Sequence, residues 1–492
     1  MSRQLRRQTE RKLRKIKIVG SDIKLTAASG LGTILEIFDQ SPWAVEFKAC
    51  LPERVSHRST GSYLLALMVM AGHIHGVDSL SDLSKIKDDP YIAELFEDEP
   101  AAIRTIGDFL QDFTEEHINK LNVLLNNMSR DIMEHLKMHL EGAYKPEELI
   151  LDMDSTHHVH YGNTIEGLAW NYKNEWCLES QVVFNQLGLC HGVQLRSGNT
   201  KSGVDAAPFL ARLMTDGKTQ RERRLDGKHF FRADSAYCNQ EVIKQCLNSG
   251  LNFTLTANKA TTQWDRQLKS EVLKWEPWVY SKEFQDRAAK SGKELPKCEV
   301  ARFHWEPSWA EGTLKLPILI KRTWVTYCEL NDKSKYGQRN LFELDTVKEV
   351  GEWEHYAIVT NFDLTKWSYQ EVFEHHQKRG NSENFHKEEK YNFNLKNFPC
   401  RRLLSNHAWV LLAQIAHNMI RWIAHIERPD RPHYSKKIRN RFIFSPGKLV
   451  NHARQVILKV SHQFLKEVQK LREGLRFPET MPARKLSTAN SG

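Results

Sequence analysis

Apolar positions in the first 145 residues recur at a spacing near 3.6, most clearly in Tyr63 to Met70 and from Ile103 to Met138, which predicts helices. Ser79-Leu80-Ser81-Asp82-Leu83 and Thr105-Ile106-Gly107-Asp108-Phe109 offer helix starts. The second fits a helix-turn-helix as well as it fits a plain packing helix. Near Leu149 the period changes to that of strands. Leu149 to Met153 is a short apolar strand, followed by two more around Glu179 to Phe184 and His191 to Leu195, joined at the turn Asn185-Gln186-Leu187-Gly188. A helix from about Asp205 carries Phe209, Leu210, Leu213 and Met214 as its buried stripe. His229 to Ala233 is a strand ending at Asp234. A helix capped by Asn239 runs through Val242, Ile243, Cys246 and Leu247 to Gly250, and Phe253 to Thr256 is the next strand.

Three strands, helix, strand, helix, strand is the order of an RNase H-like core. From about Asn258 to Val359 the composition shifts: Trp264, Trp275, Trp278, Trp305, Trp309, Trp324 and Trp353 all fall here, and Val300 to Trp305 and Leu314 to Thr326 alternate as strands do. After Asn361 the helical signal resumes. Ser368 and Glu371 form a capping box for a helix predicted to run past Glu383. Gly380 inside it costs about 1 kcal/mol relative to alanine, which implies close packing or a backbone contact there. Leu403 to Ile423 is an apolar helix expected to cover the sheet. The expected fold is α/β: an RNase H-like mixed sheet flanked by helices, with an inserted β-rich subdomain and a helical N-terminal domain. The expected division is a helical region at 1–145, core at 146–258, β-rich insertion at 259–359, core with the Glu383 helix at 360–425, and a basic, peripheral helical tail at 426–492.

Length and composition narrow the class. With 492 residues, 40% hydrophobic and 27% charged, the chain is globular and long enough for two to four modules. No run of about 18 apolar residues suggests a membrane span. The basic N-terminus (Arg3, Arg6, Arg7, Arg11, Lys12, Arg14, Lys15, Lys17) reads as a polyphosphate contact in preference to a transit peptide. Eight scattered cysteines give neither zinc spacing nor a disulfide framework and fit a reducing, cytoplasmic setting. A net charge of +10 favours an anionic partner, nucleic acid first.

Three acids then stand out. Asp154 and Asp234 end apolar strands, and Glu383 lies in a late helix. Two carboxylates at neighbouring strand ends plus one from a helix can hold a pair of divalent cations for phosphodiester transfer. Magnesium suits such oxygen ligands because it keeps several of its waters. A single Asp after a strand is more often a cap or a turn residue, so the argument rests on the three together. Asp152 competes with Asp154, since both point to one face of the strand; Ser155-Thr156, following at once, favours Asp154. A D-x-D of the sugar-nucleotide kind has no other support. His376, Arg379, Glu383 and Lys390 would share one helix face, a metal ligand between phosphate clamps or an ordinary charged surface.

The set Asp154-Ser155-Thr156, Arg232-Ala233-Asp234-Ser235 and Arg379-x3-Glu383-x6-Lys390 resembles the DDE transposases of bacterial insertion sequences, and among them those with a Tyr-x2-Arg-x3-Glu-x6-Lys signature. Leu195-Arg196-Ser197-Gly198-Asn199 and the helix Asn406 to Asn418 fit that group as well. The resemblance covers about residues 145–425. It implies metal ligation by Asp154, Asp234 and Glu383, phosphate contacts from Arg379 and Lys390, and two magnesium ions, with manganese as a substitute. It also implies double-stranded DNA partners (terminal inverted repeats and target), a homodimer in the synaptic complex, and a cytoplasmic, nucleoid-associated bacterial location. The tyrosine position of the signature is occupied by His376, which can still donate to a phosphate. Relatives with a β insertion use an insertion tryptophan to hold a flipped base in a hairpin intermediate. Alternatives are an RNase H-like nuclease that cuts without joining and a domesticated DNA-binding protein.

Overall fold

The computed structural model describes residues 17–476 apart from 21, 55–59, 97–99, 141–147, 215–228, 270–272, 293, 327–350 and 454. The basic arm from Arg3 to Lys15, Cys328 and the end of the predicted tail lie outside the described residues. The helical period of the N-terminal third comes out as α1 (Leu31–Asp39), α2 (Pro42–Cys50), α3 (Ser62–His75), α4 (Ile103–Gln111) and α5 (Glu115–His139), after a short strand β1 (Leu25–Thr26). Thr105 falls inside α4, whose cap is Ala102. Helices α4 and α5 are joined at Asp112-Phe113-Thr114, as in a helix-turn-helix. Yet α5 buries Leu121, Leu124, Leu125, Met128, Ile132 and Leu136, so it packs and does not present a free reading face. The N-terminal helices share one continuous hydrophobic core with the sheet.

That sheet has ten strands: β2 (Leu149–Val159), β3 (Ala169–Trp170), β4 (Trp176–Asn185), β5 (Cys190–Ser197), β6 (His229–Ala233), β7 (Asn252–Thr256), β8 (Glu276–Pro277), β9 (Cys298–Trp305), β10 (Leu316–Thr326) and β11 (Gly351–Thr360). Strands β5-β4-β2 are antiparallel neighbours, and β2-β6-β7 run parallel. This is the RNase H-like order. The insertion is β-rich as its composition implies, and its strands continue the core sheet. Strand β11 pairs with β7, with Ile358 opposite Thr256 and Thr360 opposite Thr254. The pairing satisfies backbone groups that β7 would otherwise leave open at an edge.

The helices that follow are α6 (Ala206–Met214), α7 (Gln240–Asn248), α8 (Tyr369–Gln377), α9 (Ser382–Asn392), α10 (Leu403–Glu427), α11 (Ser435–Phe442) and, after the hairpin β12 (Gly447–His452) and β13 (Gln455–Lys459), α12 (His462–Gly474). Strand alternation divides them between two faces. Ile150, Asp152 and Asp154 point toward α8 and α9, where Phe230, Val372 and Phe373 form a small second core. On the opposite face Gly192 lets α6 approach: a Cβ there would lie 2.8 Å from Leu213 and 3.1 Å from Phe209. Helix α10 is buried almost throughout and packs on β5, α3 and α5.

Two expectations change. The capping box is present, with the Ser368 amide donating to Glu371 Oε2 at 2.8 Å. The helix does not continue past Glu383, however: α8 stops at Gln377, Lys378–Asn381 winds as a 3₁₀ turn, and α9 starts at Ser382. Gly380 and Asn381 are weak helix formers, and Ser382 Oγ turns back to donate to the Arg379 carbonyl at 2.8 Å. No close packing surrounds Gly380, since a Cβ there would meet nothing within 4 Å. The chain beyond Arg428 is also neither purely helical nor peripheral. Arg439 on α11 is buried and donates to the carbonyls of His73, Ile74 and Asn392, tying α3 to α9.

Candidate active site

Parallel pairing of β2 with β6 places Asp152 opposite Arg232 and Met153 opposite Ala233. One step further along, the same register sets Asp154 beside Asp234. Asp154 is part-exposed; its Oδ1 accepts from the Ser155 amide at 2.8 Å and its Oδ2 from Arg379 Nη1 at 3.3 Å. Asp234 leaves the end of β6 and caps the 3₁₀ turn Ser235–Tyr237, accepting from the Ala236 amide at 2.9 Å. Burial first, then the charge of Asp154, push the Asp234 carboxyl above its ordinary value, while the Ala236 amide and Arg379 pull it back. The expected end of the strand before Asp154 is not found, since β2 runs on to Val159; what ends there is its parallel pairing with β6, and the two mutually repelling carboxylates just beyond that pairing are a donor set that a divalent cation would relieve.

Asp152, two residues earlier on the same face, has another fate. It is 3% exposed, and both oxygens are taken by Arg232, through Nε at 2.6 Å and Nη2 at 2.7 Å. Arg232 Nη1 also donates to the His375 carbonyl at 2.5 Å, fastening α8 over the pair. Asp152 is therefore a structural acid and not a spare ligand. Beneath the site on the other face, Glu179 is buried in a bidentate pair with Arg196, at 2.7 and 2.8 Å. Gln181 donates to the Ser202 carbonyl and the Tyr237 hydroxyl. These bonds fix the loop after β5, where Ser202 meets Ser155 at 2.6 Å.

The late helical segment is brought only partly into the site. Arg379 arrives on the 3₁₀ turn. Glu383, in the first turn of α9, is exposed and makes no described contact with either aspartate. Among the described residues no three acid, imidazole or thiol groups are arranged to hold a metal ion. One turn beyond Glu383, His386 is within electrostatic reach of Asp154, and its Nδ1 lies 3.2 Å from Glu389 Oε2. Burial opposes its charge, yet Glu389 and Asp154 hold the imidazole above its ordinary value. Lys390 is half-buried beside His157, Glu175 and Lys173, and burial lowers its ammonium.

His376 does not face a phosphate. It is 1% exposed, with Nδ1 2.9 Å from Thr254 Oγ1 and Nε2 3.1 Å from Thr256 Oγ1. Burial, then Arg379 and Arg232, push it down to about 3, so the ring is neutral. Sequence spacing missed a residue here. Tyr356 on β11 stacks obliquely on His376 with ring centres 6.1 Å apart, is 38% exposed, and shares a 2.8 Å hydrogen bond with Thr256 Oγ1. Its phenol lies in the fields of Arg379 and Asp234. Only the β7–β11 pairing puts it there, which no linear motif reveals.

The insertion tryptophans are already engaged. Trp264 and Trp305 are buried. Arg322 lies 3.9 Å over Trp275 and 4.3 Å over Trp353, and Lys321 4.0 Å over Trp278. None of the seven is exposed.

No helix among the described residues is long and apolar enough to cross a membrane. No curated protein matches the chain. The family model described as transposase DDE domain group 1 matches residues 10–473, nearly the whole length. Members of this family bind and cut DNA, generally with divalent metal ions. The aspartates brought together on the neighbouring parallel strands and the RNase H-like sheet agree with that match, and the chain belongs to the DDE transposase family.

Proposed function

We propose that the protein excises and inserts a bacterial insertion sequence by metal-dependent cleavage and strand transfer at its terminal inverted repeats. The observation that carries this reading is the juxtaposition of Asp154 and Asp234 under Arg379 at the open end of the sheet. Asp154 and Asp234 are the metal-holding pair, with magnesium the expected ion. Glu383 completes the set when its exposed side chain turns in from the first turn of α9. Two divalent cations there would polarise the attacking and leaving oxygens of an in-line displacement.

The chain's own groups have defined tasks. Arg379 sits over Asp154 with its remaining guanidinium donors available to hold a non-bridging oxygen of the scissile phosphate in a planar fork. The part-exposed Tyr356 hydroxyl, within the field of Arg379, would donate to the same phosphate, taking the place that spacing gave to His376. Lys390 supplies a positive charge further along α9. Asp152 and Arg232 keep β2, β6 and α8 in register, so the two reactive carboxylates do not drift apart. Two element ends must be held at once for joining, which calls for a homodimer.

Purified protein, labelled DNA carrying the inverted repeats that flank its gene, and a supercoiled target plasmid test the reading. Joined end–plasmid products are expected. Cleavage without joining would reduce the protein to a nuclease, and neither activity under magnesium or manganese would overturn the proposal.

A further inference from the structure

Beyond its pairing with Ala233, strand β2 has no neighbour on the β6 side among the described residues, so one edge from Asp154 to Val159 is left open. The short loop from Asn199 to Asp205, between β5 and α6, borders this opening, and the chemistry at the acids leaves it unused. Ser202 Oγ lies 2.6 Å from the hydroxyl of Ser155, the residue after Asp154. Gly203 lies against the turn that follows Asp234. A Cβ on it would come within 2.3 Å of the Ala236 carbonyl oxygen and 2.9 Å of Asn239 Nδ2. One loop therefore abuts the chain beside each of the two aspartates.

The loop is fastened through its carbonyls. That of Ser202 accepts from Gln181 Nε2 at 2.7 Å and Arg196 Nη2 at 3.4 Å, and that of Val204 from Arg196 Nη1. The Lys201 carbonyl accepts from the Val204 amide at 2.9 Å. Arg196 is itself held by the fully buried Glu179, so these anchors are rigid. In a trans peptide the N–H points opposite to the carbonyl before it. With the Lys201 and Ser202 carbonyls engaged by the protein, the Ser202 and Gly203 amides point away from those partners. Neither donates to a described group. Two adjacent free amides in one turn are the makings of an anion site.

The same turn carries a free cation. Lys201 is exposed and has no ion-pair partner among the described residues, while Asp205 at the loop's end lies in the field of Arg212. Strand alternation sets Ser155, and with it this loop, on the face of β2 opposite to Asp154, which Arg379 covers from the other side. A rigid turn with free amides and a lysine, beside a site for phosphodiester chemistry, suits a second phosphate of the same strand.

We propose that the Lys201 ammonium and the Ser202 and Gly203 amides hold a backbone phosphate adjoining the scissile one, so that the DNA strand is gripped from both faces of β2. The inference rests on the transposase reading and adds a subsite to it. The probe is duplex DNA carrying the inverted repeat that flanks the gene, with a neutral methylphosphonate placed at one backbone position at a time around the cleavage site. Binding is followed by fluorescence anisotropy over a range of salt concentrations. On unmodified DNA, Lys201→Ala should lose about tenfold in affinity, the scale of one charge-assisted hydrogen bond. It should also lower the slope of log affinity against log salt by about 1. The penalty that a methylphosphonate imposes on wild type should shrink in Lys201→Ala at one position and persist at the others. Lys201→Arg should restore both affinity and slope. The side chain is exposed, so circular dichroism and thermal unfolding should not move. Wild-type affinity and slope in Lys201→Ala, or a methylphosphonate pattern identical to that of wild type, would overturn the subsite while leaving DNA binding and cleavage, and with them the transposase reading, intact. Wild-type protein that neither binds nor cuts the end DNA would remove both readings.

Discussion

Strands β2 and β6 lie side by side and carry two pairs of charged residues differently employed: a closed pair at Asp152 and Arg232, an open pair at Asp154 and Asp234. Asp152 and Asp154 share a strand and a face, yet one is 3% exposed and spent on a bidentate guanidinium, while the other reaches solvent with an arginine at only one oxygen. Depth under α8 decides the role. A buried carboxylate must be fully paired. One that reaches solvent can remain available to a cation. The general lesson is that two acids two residues apart are best separated by asking what lies opposite on the neighbouring strand.

The largest effect should come from breaking the closed pair. Asp152→Ala leaves the Arg232 charge buried and unpaired and should cost about 3–5 kcal/mol, measured by chemical or thermal unfolding. A loss no greater than that of a surface substitution would show that the pair is not structural. At the open pair, Asp234→Asn should lower cleavage about 100-fold or more, the scale on which a site's electrostatic groups count. It should leave stability unchanged or higher, because it removes one of two repelling carboxylates whose folded state already disfavours ionisation. A destabilised Asp234→Asn protein would blur the contrast between the two pairs.

His376→Ala should act on stability and not directly on phosphate binding, since it removes the ring that partners the buried Thr254 hydroxyl, at about 1–3 kcal/mol. Tyr356→Phe should do the reverse, weakening cleavage with little change in unfolding. If His376→Ala cuts poorly at full stability, the assignment of these two residues is inverted. The smallest effect per residue is that of pH on the helix covering the closed pair. Burial holds His375 and His376 down at about 3 against an ordinary 6.5. Between those values the unfolded chain binds protons that the folded chain refuses. Stability therefore falls as pH drops below about 6.5, by about 1.4 kcal/mol per pH unit for each such histidine. Melting temperatures between pH 7 and 5 should show it, and His375→Phe, which removes two unpartnered ring nitrogens amid Phe230, Phe362 and Trp367, should flatten the slope.

Much of this was legible in the chain. The change of period at Leu149, the Asn239 cap and the Ser368 capping box place the core elements, because local hydrogen bonding and alternation set them. Asp154 and Asp234 are readable as the ends of apolar runs; Asp234 does follow the last residue of β6, whereas Asp154 lies mid-strand because polar residues continue β2 to Val159. What escaped was non-local. The choice between Asp152 and Asp154 needs the β2–β6 register, and Tyr356 needs the β7–β11 pairing. The stripe through His376, Arg379, Glu383 and Lys390 assumed one helix, and the 3₁₀ turn at Lys378–Asn381 rotates its halves apart. Arg232 was the available clue: an arginine two residues before Asp234 mirrors Asp152 two residues before Asp154 and points to the partner that consumes it.

Manganese binding followed by electron paramagnetic resonance, in the presence of saturating duplex DNA, tests the open pair most directly. The account predicts that wild type takes up the ion and that Asp154→Asn and Asp234→Asn each weaken binding at least about tenfold, a loss of about 1.4 kcal/mol. Unchanged manganese affinity in both variants would contradict it.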